Sequence, residues 1–257
     1  MTSLNLWQRL KMRARRQICK ADVASKITQT ADMSEDDLRI IAYVRPYTMT
    51  SDLRVEALLK AVRFVVSANI SGAMVECGVW RGGSVLAMIL QLQQLGVTDR
   101  DIYLYDTFDG MPEPTEKDTS EYEKSALETW NEAMRENRPA WDNLFSPSVF
   151  NEQDVQSTIL ATGYPADKIH FIRGRVEDTI PASMPPEIAI LRLDTDWYES
   201  TRHELQHLYP RLEKGGVLII DDYGHWDGAR AAVDEYFSDK ALLLHRIDYT
   251  GRAAIKI

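Results

Sequence analysis

Short apolar runs that alternate with helix-like segments constrain the fold of this chain more than any other feature. Helical segments are predicted at 84–94, 199–213 and 227–238, between the apolar runs. Repeated strand–helix units of this kind predict an α/β fold, a doubly wound and mostly parallel seven-stranded sheet with helices on both faces. The predicted strands are 73–76, 101–106, 168–174, 187–194, 215–221, 241–248 and, at one edge, 253–257.

The N-terminal part, residues 1–70, is predicted to form a helical arm and cap on a single domain that spans 1–257. Residues 1–20 are basic, and apolar side chains are distributed among the charges. We expect an amphipathic arm that packs on the domain or on a partner subunit, with a membrane-surface helix as the alternative. Two further helices are predicted, at 35–46 and 51–68.

A long insert separates two of the predicted strands. It spans 111–165, is rich in Pro, Glu, Trp and Tyr, and has helical patterns near 119–136 and 151–163. Inserts at the carboxyl edge of a parallel sheet commonly cover a binding site. We therefore expect a lid, with plain helical decoration as the alternative.

Composition excludes several classes of protein. The 257 residues carry a formal net charge of −9, which argues against general nucleic-acid binding because neutralising phosphates requires a basic surface. Cys19 and Cys77 are too few and too far apart for a disulfide framework or a zinc site. No apolar run approaches the roughly 20 residues that span a bilayer, so no membrane partner and a cytoplasmic location are expected.

A glycine-rich turn, Glu76-Cys-Gly-Val-Trp-Arg-Gly-Gly-Ser84, leads from the first predicted strand into a helix. Gly78, Gly82 and Gly83 permit tight backbone geometry and the close approach of a ligand. Their spacing differs from the G-x-G-x-x-G of dinucleotide folds, and no Lys-Ser/Thr pair of a P-loop follows. The turn therefore indicates a different cofactor, unless it is simply a tight strand–helix connection.

Two carboxylates narrow the class of cofactor. Glu76 would repel a pyrophosphate but attract a cationic amino-acid group, and Asp106 ends the next strand, where it can accept hydrogen bonds from a ribose diol. A ligand with a positively charged amino-acid tail and a ribose fits both residues. S-adenosylmethionine has these groups.

Four aspartates follow two strands that we expect to be neighbours in the sheet. Neighbouring strands lie roughly 4.8 Å apart, so carboxylates at their ends can converge on one ion. Hard oxygen ligands suit Mg²⁺, with Mn²⁺ or Ca²⁺ as substitutes, whereas helix capping is the alternative role. Such an ion would lower the pKa of a substrate hydroxyl, and a nearby carboxylate would take the proton. The aspartates are Asp194, Asp196, Asp221 and Asp222.

At these residues the chain resembles the macrocin/mycinamicin O-methyltransferase family, often called TylF-like, over roughly residues 45–257. Taken together the shared motifs are specific, whereas Asp-Thr-Asp or Asp-Asp-Tyr alone would be a weak signal. The shared motifs are YTMT (47–50), VECGVWRGGS (75–84), YDTFDGMP (105–112), LRLDTDWYEST (191–201) and YPRLEKGGVLIIDDY (209–223).

The resemblance implies a class I methyltransferase with a Rossmann-like fold that uses S-adenosylmethionine and Mg²⁺ in antibiotic biosynthesis. It also implies that Asp196 is both a metal ligand and the general base, and that Arg81 pairs with the cofactor carboxylate or merely caps the loop. The implied metal ligands are Asp196, Asp221 and Asp222, and the implied cofactor contacts are Thr48, Met49, Glu76, Gly78, Arg81, Ser84, Asp106, Gly174 and Asp178.

The expected acceptor is a small glycosylated natural product, methylated on a hydroxyl of a deoxysugar with a vicinal diol. Trp130, Trp141 and Tyr198 offer flat surfaces for a sugar or aromatic acceptor, or serve only in packing. His225 assists proton transfer or is a solvent-facing loop residue. Thr195 stands where some family members have Gly, and the residues after Tyr223 also diverge.

Two rival functions remain open on the sequence. Asp194-Thr-Asp196 matches the D-x-D with which glycosyltransferases hold a metal and a nucleotide sugar, but that reading leaves the turn at 76–84 unexplained. The second rival is a non-catalytic S-adenosylmethionine-binding member of the family. The basic N-terminal arm further predicts a homo-oligomer, a dimer or higher.

Overall fold

The computed structural model describes residues 32–146 and 148–257. The chain divides into two units, Met1–Leu38 and Arg39–Ile257, and every site residue discussed below belongs to the second. The basic arm predicted at 1–20, together with Cys19, lies outside the described residues. Within the described ranges, no helix has both the length and the apolar character needed to cross a bilayer.

The described residues form one mostly parallel sheet, as predicted. Its strands are β1 (Ala73–Cys77), β2 (Ile102–Asp106), β3 (Ile169–Arg173), β4 (Ile188–Leu193), β5 (Leu212–Ile220), β6 (His245–Arg246) and β7 (Arg252–Ile255). Their order is β3-β2-β1-β4-β5-β7-β6. Strands β1 to β5 pair in parallel, whereas β7 runs antiparallel to both of its neighbours.

Helices connect the strands, and three of them lie in the insert at 111–165. Ser51 caps the second helix, since its hydroxyl accepts a hydrogen bond from the Arg54 backbone N–H at 3.2 Å. The helices are α1 (Glu35–Val44), α2 (Asp52–Ser67), α3 (Gly83–Gln94), α4 (Ala126–Arg135), α5 (Asp142–Phe145), α6 (Glu152–Leu160), α7 (Val176–Thr179), α8 (Tyr198–His207) and α9 (Asp227–Tyr236), with 3₁₀ turns at Arg45–Tyr47, Ala166–Lys168 and Tyr209–Arg211.

Three element boundaries differ from the prediction. The strand predicted at 241–248 shrinks to β6, because this edge segment is largely exposed and Leu243 buries almost none of its surface. The helix predicted at 199–213 ends at His207, ahead of a 3₁₀ turn that contains Pro210. In the insert, α4 begins only at Ala126, where the Ser125 side chain caps it.

The two faces of the central strands have different characters. Val75, Cys77, Leu191 and Leu193 lie in an apolar core cluster that includes side chains of α8 and α9. Residues one position away along β1 and β4 lie on the opposite face, on which α2 packs. Because successive side chains alternate between faces, Glu76 and other polar residues are confined to the α2 side.

The winding of the chain reverses between β1 and β4. The chain passes from β1 outward through β2 to β3, and then returns to the other side of β1 to continue through β4 and β5. In open α/β sheets, ligands bind at the carboxyl ends of the strands where this reversal occurs. Gly78 lies at this point with φ +82°, and a Cβ there would be 1.8 Å from the Asp194 carbonyl oxygen.

Candidate active site

A cavity of about 320 Å³ opens at the carboxyl ends of the central strands. Arg81 and Asp178 are not among its lining residues; the Arg81 guanidinium lies 5.7 Å from the ring centre of Tyr47 and 5.6 Å from that of Trp80. The other predicted site residues line it: Thr48, Met49, Glu76, Gly78, Ser84, Asp106, Gly174, Asp196, Asp221 and Asp222.

The segment that carries Thr48 and Met49 rests directly on the first turn of α3. A Cβ on Gly83 would lie 2.5 Å from the Thr48 Cβ and 2.6 Å from the Tyr47 carbonyl oxygen. Glycine is therefore required at this position for the segment to reach the cavity. The glycine-rich turn thus also makes room for a second part of the lining.

Asp106 holds the turn after β1 in place. Its Oδ2 accepts hydrogen bonds from the backbone N–H groups of Val79 at 2.7 Å and Trp80 at 2.9 Å. Its Oδ1 accepts one from the Phe108 N–H at 2.7 Å. Burial raises the pKa of Asp106, and these three N–H groups oppose the shift. A ribose contact was predicted for Asp106 from the sequence, but its role in anchoring the loop was not.

Glu76 combines a paired oxygen with an unpaired one. It lies opposite Arg192 in the β1–β4 register, and its Oε1 accepts from Arg192 Nη1 at 2.5 Å. Its Oε2 is buried and has no hydrogen-bond partner among the described residues. Burial raises the pKa of Glu76 to about 8, while Arg192 opposes the shift. A buried acceptor without a donor, at the wall of the cavity, fits the cationic amino-acid end of S-adenosylmethionine.

Arg192 links Glu76 to the carboxylates that follow β4 and β5. Nη1 also donates to Asp194 Oδ2 at 2.5 Å, and Nη2 donates to Asp221 Oδ1 and to Thr50 Oγ1, the latter at 3.1 Å. Arg54 on α2 binds the other oxygen of Asp221. No role for Arg192, Arg54 or Thr50 was predicted from the sequence. A charged residue in the middle of an otherwise apolar strand was the available signal for Arg192.

The acidic residues after the two strands do converge, and β4 and β5 are neighbours as predicted. Asp194, Asp221 and Asp222 each offer an oxygen that lies within 4.8 Å of the other two. Asp196 lies beside this group, with φ +64°; its backbone N–H donates to Asp222 Oδ2 at 3.3 Å and its Oδ1 accepts from Trp226 Nε1 at 2.8 Å. The structure therefore groups Asp194 with Asp221 and Asp222.

Burial and mutual repulsion disfavour the ionised forms of these acids. The pKa values of Asp196 and Asp222 are raised well above their usual range, first by burial and then by neighbouring carboxylates. Burial also raises the pKa of Asp194 to about 6, against the effect of Arg192. A crowded set of oxygen ligands with excess negative charge fits a hard divalent cation such as Mg²⁺.

Thr195 points away from the acids that flank it. Its hydroxyl donates to Glu204 Oε1 at 3.0 Å, and Glu204 is fully buried on α8. The position where some family members have Gly is thus used here to anchor the loop to a helix. Nothing in the local sequence pattern indicated Glu204 as the partner.

An aromatic wall stands next to Asp196. Trp141 from the insert, Trp197 and Trp226 all line the cavity, with ring centres 5.7 Å apart for the first pair and 4.9 Å for the second. Tyr198 does not line it; its hydroxyl donates to Glu235 at 2.6 Å. Of these three indoles, only Trp141 was predicted from the sequence as a surface for the acceptor.

Two further residues were predicted to act near the acceptor, and one of them lines the cavity. Trp130 is not among the lining residues, whereas His225 is. His225 Nε2 lies 3.3 Å from Glu123 Oε1 of the insert, and its Nδ1 lies 3.1 Å from the Tyr249 hydroxyl. The insert therefore contributes both to the cavity wall and to a contact with the opposite rim.

The strand order, with its antiparallel β7 and a cavity at the reversal point between β1 and β4, is that of the Rossmann-like class I methyltransferases. A comparison with protein families narrows this class. The profile of the macrocin O-methyltransferase (TylF) family matches residues 5–254. The chain belongs to this family and is an O-methyltransferase.

Individual relatives agree with the family assignment. The chain is 32% identical over 190 residues to demethyldecarbamoylnovobiocin O-methyltransferase of Streptomyces niveus, covering 74% of the chain and 67% of the relative. It is 35% identical, with the same coverages, to the Streptomyces olivaceus 4′-O-methyltransferase of 8-demethyl-8-(2,3-dimethoxy-α-L-rhamnosyl)-tetracenomycin C. Among solved structures, the O-methyltransferase NovP matches with a TM-score of 0.69 and 30% identity, covering 82% of each chain.

Proposed function

We propose that this O-methyltransferase transfers the methyl group of S-adenosylmethionine to a sugar hydroxyl of a glycosylated natural product, with a divalent cation bound beside the acceptor. The observation that carries the proposal is that one cavity holds both the unpaired buried oxygen of Glu76 and the three-carboxylate group of Asp194, Asp221 and Asp222. One feature suits a cationic cofactor and the other suits Mg²⁺.

The proposed roles follow from the geometry. Glu76 Oε2 receives the ammonium of the cofactor, and Asp194, Asp221 and Asp222 hold the cation. When bound, the cation lowers the pKa of the acceptor hydroxyl. Asp196 takes the hydroxyl proton, because Trp226 binds its Oδ1 and leaves Oδ2 for the acceptor. A ligand role for Asp196, as first predicted from the family resemblance, stays a prediction.

The remaining cofactor contacts are proposed from their positions. Thr48, Met49, Gly78 and Ser84 surround the methionine end, and Gly174 lies towards the adenine. Asp106 accepts from the ribose through lone pairs that the loop N–H groups leave free. Arg81 and Asp178 remain predictions from the family pattern; in the structure the lining after Gly174 consists of Arg175, Val176 and Glu177.

The acceptor class is supported by the wall of the cavity and by the relatives. The indoles of Trp141, Trp197 and Trp226 present flat apolar faces next to Asp196, which suits the C–H face of a sugar ring or a planar aglycone. One relative is named for a rhamnosyl compound. A deoxysugar with a vicinal diol would place two adjacent oxygens towards the cation.

Calorimetry and turnover test the proposal. Purified protein should bind S-adenosylhomocysteine, and labelled S-adenosylmethionine with Mg²⁺ should methylate at least one member of a panel of rhamnosylated metabolites. Addition of a chelator should stop turnover, and matched aglycones serve as the control for the sugar. Thermal stabilisation by a nucleotide sugar instead of S-adenosylhomocysteine would contradict the proposal. We also propose one domain and a homo-oligomer. A light-scattering mass equal to one chain would disprove the homo-oligomer.

A further inference from the structure

Arg192 is an unusual residue to find inside a central strand. It lies on β4 between Leu191 and Leu193, is 2% exposed, and is among the largest fully buried side chains of the described residues. A buried guanidinium must be paired and hydrogen-bonded to persist, since removing an ion from water is unfavourable. The arrangement of its partners therefore shows what the residue does.

The two ends of the guanidinium bind different parts of the cavity. Nη1 donates to Glu76 Oε1 and to Asp194 Oδ2, both at 2.5 Å, and Nη2 donates to Asp221 and Thr50. Glu76 and Arg192 are direct cross-strand partners, and Asp194 follows two residues later on the same face. The planar fork of an arginine spans these sites at once, which the single ammonium of a lysine cannot do.

Arg192 also determines which oxygen of Glu76 is available. With Oε1 held by Nη1, the carboxylate is fixed in one orientation, and the buried Oε2 is left unpaired among the described residues at the wall of the cavity. Free rotation of the carboxyl group would otherwise spread the position of Oε2 over several orientations. Fixing one oxygen reduces the entropy lost when a ligand cation binds there.

We propose that Arg192 is a positioning residue that presents Glu76 Oε2 to the amino-acid end of the cofactor while it joins Glu76 to the metal-site carboxylates Asp194 and Asp221. This inference rests on the proposed use of S-adenosylmethionine. It assigns the preference for a ligand with a cationic amino-acid tail to a residue that does not itself contact that tail.

Two ligands separate this role from a general contribution to folding. S-adenosylhomocysteine carries the amino-acid group, and 5′-deoxy-5′-methylthioadenosine shares the adenosine and the thioether but lacks that group. Calorimetric affinities for both are measured in chelator, on the full chain, so that neither metal nor acceptor enters the experiment. The ratio of the two affinities reports on the amino-acid end alone.

The Arg192→Lys variant retains the charge but cannot bridge Glu76 and Asp221. We expect its affinity for S-adenosylhomocysteine to fall about tenfold or more, since hydrogen bonds to charged groups are worth that much, and its affinity for methylthioadenosine to change less than about twofold. Arg54→Lys is the matched control, because Arg54 shares Asp221 as a partner but does not touch Glu76. It should leave the ratio unchanged.

A double-mutant cycle tests whether Arg192 acts on the cofactor through Glu76. Once Glu76→Gln has replaced the acidic Oε2, adding Arg192→Lys should cause no further loss of S-adenosylhomocysteine affinity. Should Arg192→Lys not fold by circular dichroism, Thr50→Val removes the hydroxyl that accepts from Nη2 and donates to Asp221, and it should lower the same ratio about twofold to threefold.

The outcomes are distinct. Equal losses for both ligands in Arg192→Lys, or an unchanged S-adenosylhomocysteine affinity, would overturn the positioning role while leaving the proposed function intact. An unchanged ratio in Thr50→Val would do the same if only that variant folds. If the wild-type protein binds neither ligand, the proposed function and this inference both fail.

Discussion

The two ends of the cavity hold their carboxylates in opposite ways. At the β2 end, Asp106 accepts hydrogen bonds from three backbone N–H groups and so holds the loop in place. At the β4–β5 end, Asp194, Asp196 and Asp222 crowd together, and neighbouring carboxylates add to the effect of burial on their pKa values. Acids that the protein satisfies stabilise the fold, whereas acids that it leaves crowded are suited to a ligand cation.

The largest expected effect concerns the acid assigned to proton transfer. Asp196→Asn should lower kcat by about 10²–10⁴-fold, the usual range for a lost general base, because the amide cannot accept the acceptor proton. Its affinity for S-adenosylhomocysteine should stay unchanged in calorimetry. Turnover is measured with the best acceptor of the panel, and a kcat within about threefold of wild type would exclude Asp196 as the base.

The difference between the two ends of the cavity also predicts that substitutions there change the free energy of unfolding in opposite directions. Asp106→Asn should destabilise the metal-free protein by about 1–3 kcal/mol, because the amide N–H₂ cannot accept from the loop N–H groups. Asp222→Asn should stabilise it, because it removes an acid whose ionised form is disfavoured by burial and by Asp196 and Asp194. Urea unfolding in chelator gives both free energies of unfolding.

The same pair of variants distinguishes an acid that contributes to folding from an acid that binds the cation. Addition of Mg²⁺ should raise the melting temperature of the wild type and of Asp106→Asn, but not that of Asp222→Asn. Destabilisation by both substitutions would show that the two ends of the cavity do not differ in the way described.

A smaller effect is expected for the indole that binds Asp196. Trp226→Phe removes the N–H that donates to Asp196 Oδ1 and should lower kcat about tenfold, with little change in the acceptor KM. Trp197→Phe is the matched control, because Trp197 packs against Trp226 but donates to the Pro112 carbonyl. Equal losses of kcat in the two variants would argue for packing alone.

The last expected effect is a dependence of the free energy of unfolding on pH. The pKa of Glu76 rises from 4.5 to about 8 in the fold, so between these values the folded protein keeps a proton that the unfolded chain has released. The stability of the metal-free protein should therefore fall as the pH rises through this window, by at most about 1.4 kcal/mol per pH unit for one proton. Glu76→Gln should flatten the decline, and an unchanged slope in urea titrations would contradict the assignment.

Much of the fold was predictable because it is encoded in local periodicity. Short apolar runs predicted β1 to β5, and their alternation with helices predicted the parallel sheet. The edge strand predicted at 241–248 was too long, because an apolar run alone does not show whether a neighbouring layer covers it. In the insert, α5 has only four residues, too few for a periodic signal.

The candidate site was predictable to a different extent. Residue types after each strand indicated which acids would reach the cavity, and Glu76, Asp106, Asp221 and Asp222 all line it. Their individual partners were not predictable. Asp106 was predicted to bind a ligand, and the structure shows that its carboxylate also accepts hydrogen bonds from three backbone N–H groups.

The sequence by itself determined that this chain is a doubly wound α/β protein of the macrocin O-methyltransferase family, since strand spacing and motifs are local properties of the chain. Only the tertiary structure decided that Arg192 joins Glu76 to Asp194 and Asp221, and that oxygens of Asp194, Asp221 and Asp222 come within 4.8 Å of one another. Glu76 and Arg192 are 116 residues apart, and they meet because β4 returns to the side of β1. Such pairings depend on strand order and register, which local patterns do not specify.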